Sequence, residues 1–280
     1  MKKRSNKRSV IYLLIVWIIA AFLLESTDLW ISVTLYNPYA RWAIFLEKFG
    51  EIPGLLVVLI GSHIYIVTLR SSSNSKKILF TSFLLTTCSL ITIYIFFVLS
   101  NGFSGNFTFF NSNKNYFYLS SVLLNILITF LYRKHYKFSK KAILFARISF
   151  NMFLFGYLLF IEPLKIFWGR VRFRDLMENY SNFTAWYIPQ GITGNDSFPS
   201  GHAAMGWMMI ALFVLFVDKS YRERFVIKAL IIIWAIAVSV SRVVIGAHYA
   251  SDVLFASFGI IITYLLVLNY VTKEIKYKTE

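Results

Sequence analysis

Ser197-Phe198-Pro199-Ser200-Gly201-His202-Ala203-Ala204 runs, without a single acidic or basic side chain other than the histidine, into an apolar stretch that ends at Val217. Ser200 has the position of a helix N-cap, with Pro199 just outside it, so His202 falls in the first turn of the helix that follows. The run behind it reads as a membrane-embedded helix, which puts the histidine where a span meets the aqueous surface. Free backbone N–H groups at such a helix start attract an anion. His248 stands at the start of another apolar run, and cations from Lys165 to Arg174 and at Arg242 stand at other span ends. That combination suits phosphate.

Composition fixes the class of molecule. Of the 280 residues 58% are hydrophobic, and a mean hydropathy of +0.63 is far too apolar for a water-soluble domain of this size. The expectation is an all-α, polytopic membrane helix bundle forming one integral membrane domain over residues 1–280. Cys88 is the single cysteine and lies inside an apolar run, so there is no intrachain disulfide and no zinc-type Cys/His array. The formal net charge of +16 comes from short clusters between apolar runs, as membrane orientation requires, and not from a nucleic-acid surface. Met1 to Ser9 is basic and precedes an apolar run, in the manner of a signal peptide. No small-x-small cleavage pattern follows before Glu25, so a retained first span is expected.

A crossing helix needs about 20 mainly apolar residues. Scanning on that criterion gives eight runs: Val10–Leu24, Ile52–Leu69, Ile78–Leu99, Phe117–Tyr132, Ala142–Leu164, Gly201–Val217, Phe225–Val240 and Ser251–Val271. Leu29 to Tyr36 either lengthens the first span or lies along the surface, since Glu25 and Asp28 interrupt the run. With the N-terminus inside, most of the 29 basic residues fall on inner ends: Lys2, Lys3, Arg4, Lys7 and Arg8, then Arg70, Lys76 and Lys77, and so on to Lys273, Lys276 and Lys278. The outer side keeps Arg41, Lys48, Lys114, Lys165, Arg170, Arg172, Arg174 and Arg242, most of which belong to the suspected phosphate site. Both termini are therefore expected in the cytoplasm of a cell-membrane protein, with the site extracytoplasmic. The long outer segment from Arg170 to Pro199 carries Tyr180, Phe183, Trp186 and Tyr187, either as an interfacial belt or as a lid.

Lys165 and Arg172 are seven residues apart, so they share a helix face if the fifth span continues as helix through both, while Arg174 points away. Basic residues at a helix end also snorkel to headgroups, but the outer end is the wrong one for such a cluster. His248 and Asp252 are four residues apart at the start of the last span, where a carboxylate can accept the imidazole N–H, fix its tautomer and leave the other nitrogen free to attack. The same spacing suits a metal, yet no third or fourth ligand accompanies the pair, and Arg242 and Lys165 would repel a cation. No metal and no cofactor is expected. His202, in the first turn of its helix, suits a general acid protonating a leaving oxygen. His63, inside the second span, reads as a polar packing residue, and His135 belongs to a basic inner loop.

Lys165-x6-Arg172, Pro199-Ser200-Gly201-His202 and Ser241-Arg242-x5-His248-x3-Asp252 resemble, in order and spacing, the three signature motifs of the type 2 phosphatidic acid phosphatase superfamily, the lipid phosphate phosphatases related to vanadium haloperoxidases. The resemblance covers Leu164 to Asp252. It implies phosphoryl transfer without a metal, in which His248 attacks phosphorus, Asp252 orients it and His202 protonates the leaving oxygen. It also implies that Lys165, Arg172, Arg242, the Ser200 hydroxyl and backbone N–H groups near Gly201 hold the phosphate oxygens. Two departures stand out. Phe173 follows Arg172 where the family usually has proline, and the six-span family core, expected over residues 78–280, is preceded by two extra spans within residues 1–77. Nothing requires those two spans to touch the site.

The function implied is a membrane phosphatase acting on a lipid phosphate monoester or lipid diphosphate. Transfer of the phosphoryl group or headgroup to another acceptor is the second enzymatic reading, and a non-enzymatic phospholipid-binding or transport protein the third. The expected partners are a membrane lipid phosphate and the bilayer.

Overall fold

The computed structural model describes residues 3–69, 75–104 and 107–277. Of the cations assigned to the inner face, Lys2, Arg70 and Lys278 lie outside the described residues, as do the side chains of Lys3, Arg4, Lys7, Arg8 and Lys276. Among the described residues there is no strand. The chain forms α1 (Lys3–Leu35), α2 (Arg41–Phe49), α3 (Ile52–Thr68), α4 (Ser75–Ser104), α5 (Phe107–Ser112) and α6 (Lys114–His135). Next, α7 (Lys140–Asn151) runs through a π-helical stretch, Met152–Ile161, into α8 (Glu162–Trp168). After a long loop come α9 (Gly201–Met208), which tightens to 3-10 geometry over Met209–Phe216, then α10 (Tyr221–Val244) and α11 (Ala250–Tyr277).

Among the described residues, six helical segments are long and apolar enough to cross a membrane: Val10–Leu35, Ser75–Gly102, Lys114–His135, Lys140–Asp175, Tyr221–Val244 and Ala250–Glu274. The other two of the eight expected runs form shorter helices, α3 and Gly201–Phe216, and both are interior. Leu55, Val58 and Ile64 of α3 share one core with Phe145, Ala146 and Ile148 of α7, Ala203 and Met205 of α9, and Ile260 of α11. Enclosed by longer helices, these two need not match the bilayer thickness.

Close helix approach in a membrane depends on small residues, because lipid gives little hydrophobic drive for helices to associate. A Cβ on Gly54 would lie 2.0 Å from the Met205 carbonyl oxygen, and one on Gly61 would lie 1.9 Å from Ser149 Oγ. Thus α3 is locked against α9 through one glycine and against α7 through the other. The outer helices show the inverse pattern. Ile11, Ile15 and Phe22 of α1 and Leu123, Leu127 and Phe130 of α6 are exposed, while α6 turns Ser121, Asn125 and Thr129 inward. Asn125 and Thr129 hold the two ring nitrogens of His63 at 2.8 and 3.0 Å, so His63 is the satisfied packing residue that its sequence position predicts.

Of the two expectations for Leu29 to Tyr36, the structure takes the longer first span. α1 passes through Glu25 and Asp28 and continues to Leu35, and Asp28 is 1% exposed because α1 packs along α11 and meets a buried arginine there. At the far end of the bundle Lys141 pairs with Asp218, and Arg147 pairs with Glu274. The motif residues gather at the opposite end.

Candidate active site

The loop from α8 to α9 begins at Gly169, whose φ of +61° closes the helix in the left-handed conformation. No larger residue fits, since a Cβ there would lie 2.1 Å from the Gly191 carbonyl oxygen. The helix therefore stops between Lys165 and Arg172, and the shared helix face expected of them does not form. The turn brings them together by another route. Arg172, in extended backbone, donates to Asp196 Oδ1 at 2.6 Å, and Lys165 Nζ lies 3.4 Å from Asp196 Oδ2. Burial raises the Asp196 carboxyl, but Lys165 and Arg172 outweigh it and hold the group below the ordinary carboxylate range. Arg174 turns elsewhere, to Glu47 at 2.9 Å. Phe173, in the place of the usual proline, is buried between the rings of Tyr36, Tyr180 and Tyr249, with centroids 5.2, 6.0 and 6.3 Å away, and so fastens this loop to the end of α1.

Ser200 caps α9, its Oγ accepting from the Ala203 N–H, and its own N–H donates to the Asp252 carbonyl at 3.1 Å. Gly201 leaves room beside this helix start, where a Cβ would stand 3.8 Å from Lys165 Nζ. Arg242, at the end of α10, is 3% exposed and keeps Nη2 3.5 Å from Glu47 Oε1, while its Nε and Nη1 are buried without a hydrogen-bond partner. The Arg172 Nε is in the same state. Buried guanidinium donors left open are costly, and an anion would satisfy them.

His202 places Nε2 3.0 Å from the Glu47 carbonyl oxygen and 3.4 Å from Glu51 Oε1, and Tyr94 donates to the same Glu51 oxygen. His248 differs in detail from the expected pair. Its Nδ1 lies 2.6 Å from the Ser197 carbonyl oxygen, which accepts the ring proton, whereas Asp252 Oδ2 stands 3.5 Å from that nitrogen. The reason is local. α11 starts only at Ala250, so His248 lies before the helix, and Asp252 reaches back to the Tyr249 N–H at 3.0 Å while also accepting from Ser197 Oγ at 2.5 Å. The tautomer consequence is the expected one: Nδ1 is engaged and Nε2 is left over. Burial lowers the His248 imidazole to about 4, against the upward pull of Asp252 and with Arg242 and Lys165 adding to the depression.

Lys165, Arg172, Ser200, Gly201, His202, Arg242, His248 and Asp252 thus converge at one end of the bundle. Asp28, Glu47, Glu51, Asp196 and Ser197, none of which carries a role in the sequence motifs, also reach the site, and Arg170, an outer cation of the first cluster, turns away from the phosphate-binding cations to Asp28 and Asp252. Three of these come from the first two spans and the helix between them, so the N-terminal segment does reach the site.

The sequence profile of the PAP2 superfamily matches residues 144–276. Two curated relatives, each named lipid A 1-phosphatase, come from Rhizobium johnstonii and Rhizobium etli. Each is 32% identical over 142 residues, which is 48% of this chain and 54% and 57% of the respective relatives. The match therefore spans about half the length of those proteins. No solved structure matches the chain. The three motifs assemble at one end of an all-helical bundle and lie inside residues 144–276, the segment that is similar to the PAP2 superfamily.

Proposed function

We propose that this protein is an integral membrane phosphatase that hydrolyses a lipid phosphate monoester or lipid diphosphate through a phosphohistidine at the extracytoplasmic face. The observation that carries this reading is the neutral, buried His248, with Nδ1 held by the Ser197 carbonyl, set among Lys165, Arg172 and the open donors of Arg242.

The phosphate enters among those three cations and takes the Arg242 and Arg172 donors that lack partners, with the Ser200 region of α9 supplying helix-start N–H groups. The His248 Nε2 lone pair forms a bond to phosphorus, and the bond from phosphorus to the leaving oxygen breaks. His202 gives that oxygen its proton. Because His202 Nε2–H donates to the Glu47 carbonyl, the ring acts as an acid only as the imidazolium, giving up the Nδ1 proton and becoming neutral with Nε2–H still in place. In the second half the oxygen of a water attacks phosphorus, its proton passes to His202, the N–P bond breaks and inorganic phosphate leaves. Negative charge spreading over the equatorial oxygens is met throughout by fixed cations. The same cations repel a divalent ion, which supports chemistry without a metal. The concentration of basic residues on the other span ends supports the outer placement of the site.

The direct test is release of inorganic phosphate by the purified protein in detergent. The panel is phosphatidic acid, phosphatidylglycerol phosphate, an isoprenyl diphosphate and lipid A. Turnover of at least one of these, abolished in His248→Ala and insensitive to EDTA, is the expected result. No release from any of them, or unchanged release by the variant, overturns the reading.

A further inference from the structure

Arg170 is the most deeply buried cation of the described chain, at 0% exposure, and none of its contacts is to a group placed against phosphate. Its Nη1 donates to Asp252 Oδ1 at 2.6 Å and to Ser251 Oγ at 2.8 Å, its Nη2 to Asp28 Oδ2 at 2.8 Å, and its Nε to the Thr184 carbonyl at 3.0 Å. The guanidinium lies 3.8 Å from the ring centroid of Tyr249, with Phe183 at 5.6 Å. Asp28 in turn accepts from the Ser251 N–H at 3.0 Å and from the Ser251 hydroxyl. Two carboxylates and one guanidinium, all at 1% exposure or less, therefore stand in a row from α1 to the residue that flanks His248.

We infer that Arg170 and Asp28 are positioning residues for His248, and that α1 is part of the reacting unit rather than an added anchor. Asp252 uses one oxygen on Ser197 and Tyr249 and the other on Arg170, so Arg170 decides where the carboxylate sits beside the imidazole. An arginine between two carboxylates leaves the row with one net negative charge. That charge favours the cationic imidazole that forms when His248 bonds to phosphorus. With Asp28 neutral, Arg170 would cancel Asp252 and the site would lose this support. Asp28 lies outside residues 144–276, so the dependence reaches beyond the family-matched segment.

The charged and titratable groups around His248 are Asp252 on α11, Arg242 on α10, His202 on α9, Lys165 on α8, and Arg172 and Asp196 in the loop, with Arg170 and Asp28 behind Asp252. Removing Asp28's negative charge makes the protonated imidazole harder to form, while removing Arg170's positive charge makes it easier. The two substitutions therefore move His248 titration in opposite directions. A role limited to holding the fold does not do this.

The inference rests on His248 being the nucleophile, so two readouts are needed. In the phosphate-release assay, Asp28→Asn should lower kcat by about 10- to 100-fold, the scale on which outer partners of metal-ligating histidines act, with KM little changed. Arg170→Lys, which keeps the charge but not the planar fork, should retain more activity than Arg170→Gln. In detergent micelles, NMR of histidine-labelled protein, with His248 assigned from His248→Gln, should show its titration at lower pH in Asp28→Asn and at higher pH in Arg170→Gln. Should Arg170→Gln fail to fold, the Asp28→Asn shift and the Arg170→Lys rate decide the matter. Wild-type rate and titration in Asp28→Asn, or a shift to higher pH, overturn the inference. If the wild type releases no phosphate the proposed function fails, and the titration still judges the positioning.

Discussion

Arg172 and Asp196 form an ion pair at 2.6 Å in the place where the proposed mechanism needs a phosphate oxygen. Lys165 shares the same carboxylate at 3.4 Å, so Asp196 occupies both cations of the first motif. A lipid phosphate must displace it or share them with it. Asp196 is about half exposed, and each such pair contributes about 0.2–1 kcal/mol. Asp196→Asn should therefore lower KM roughly fivefold, for about 1 kcal/mol of competition removed, with little change in kcat. Steady-state kinetics on the best substrate of the panel checks this. A higher KM would show that Asp196 instead organises the cations for the substrate.

The state of His248 sets the acid side of the pH profile. Burial first, then Arg242 and Lys165, lower the imidazole to about 4 despite Asp252. A depressed value means that the ring takes its proton, and loses its nucleophilic lone pair, only as pH falls through that region. The acid limb of kcat/KM, corrected for the substrate's own ionisation, should lie near 4. A limb in the ordinary imidazole range, about 6.5, would contradict this.

Gly54 couples the N-terminal segment to the site, because it allows α3 to touch α9 one turn beyond Glu51 and close behind His202. Any Cβ there meets the Met205 carbonyl at 2.0 Å, so the helices must separate. Gly54→Ala should destabilise the protein by about 1–3 kcal/mol, in the usual range for overpacking. It should also slow turnover by moving Glu51 from His202. A thermal-unfolding midpoint in detergent equal to that of the wild type would argue against this contact.

Much of this architecture was legible in the sequence, for reasons tied to particular residues. Long apolar runs have few alternatives to helix in lipid, and Ser200 carries its capping signal locally. The convergence of Lys165 with Arg172 was readable, but its route was not: Gly169 ends the helix between them, and a single glycine is compatible with either outcome. Asp28 was the most informative residue read only as an interruption. An acid inside an apolar span is expected to have a buried partner, yet which of the outer arginines it meets depends on tertiary packing. Glu47 and Glu51 lie in a short amphipathic segment whose approach to His202 is likewise a property of helix packing. The bond from His248 to the Ser197 carbonyl has no side-chain signature at all.

Sidedness has its own test. Glu178 lies exposed in the α8–α9 loop, and Lys137 lies exposed between α6 and α7 at the other end of the bundle. In a Cys88→Ser background, a membrane-impermeant thiol reagent on intact cells should label Glu178→Cys and spare Lys137→Cys. The reverse pattern would put the catalytic end in the cytoplasm.

A covalent bond between His248 and phosphorus is trapped by rapid quenching of the enzyme during turnover of a substrate carrying radiolabelled phosphate. The expected result is a protein-bound label that is stable in base and lost in acid, as a phosphoramidate is. The label should map to the peptide containing His248 and be missing from His248→Ala. His202→Ala should still accumulate some of it from a substrate whose leaving group needs no proton. A label on a serine or aspartate, or one that persists in His248→Ala, would show that His248 is not the nucleophile.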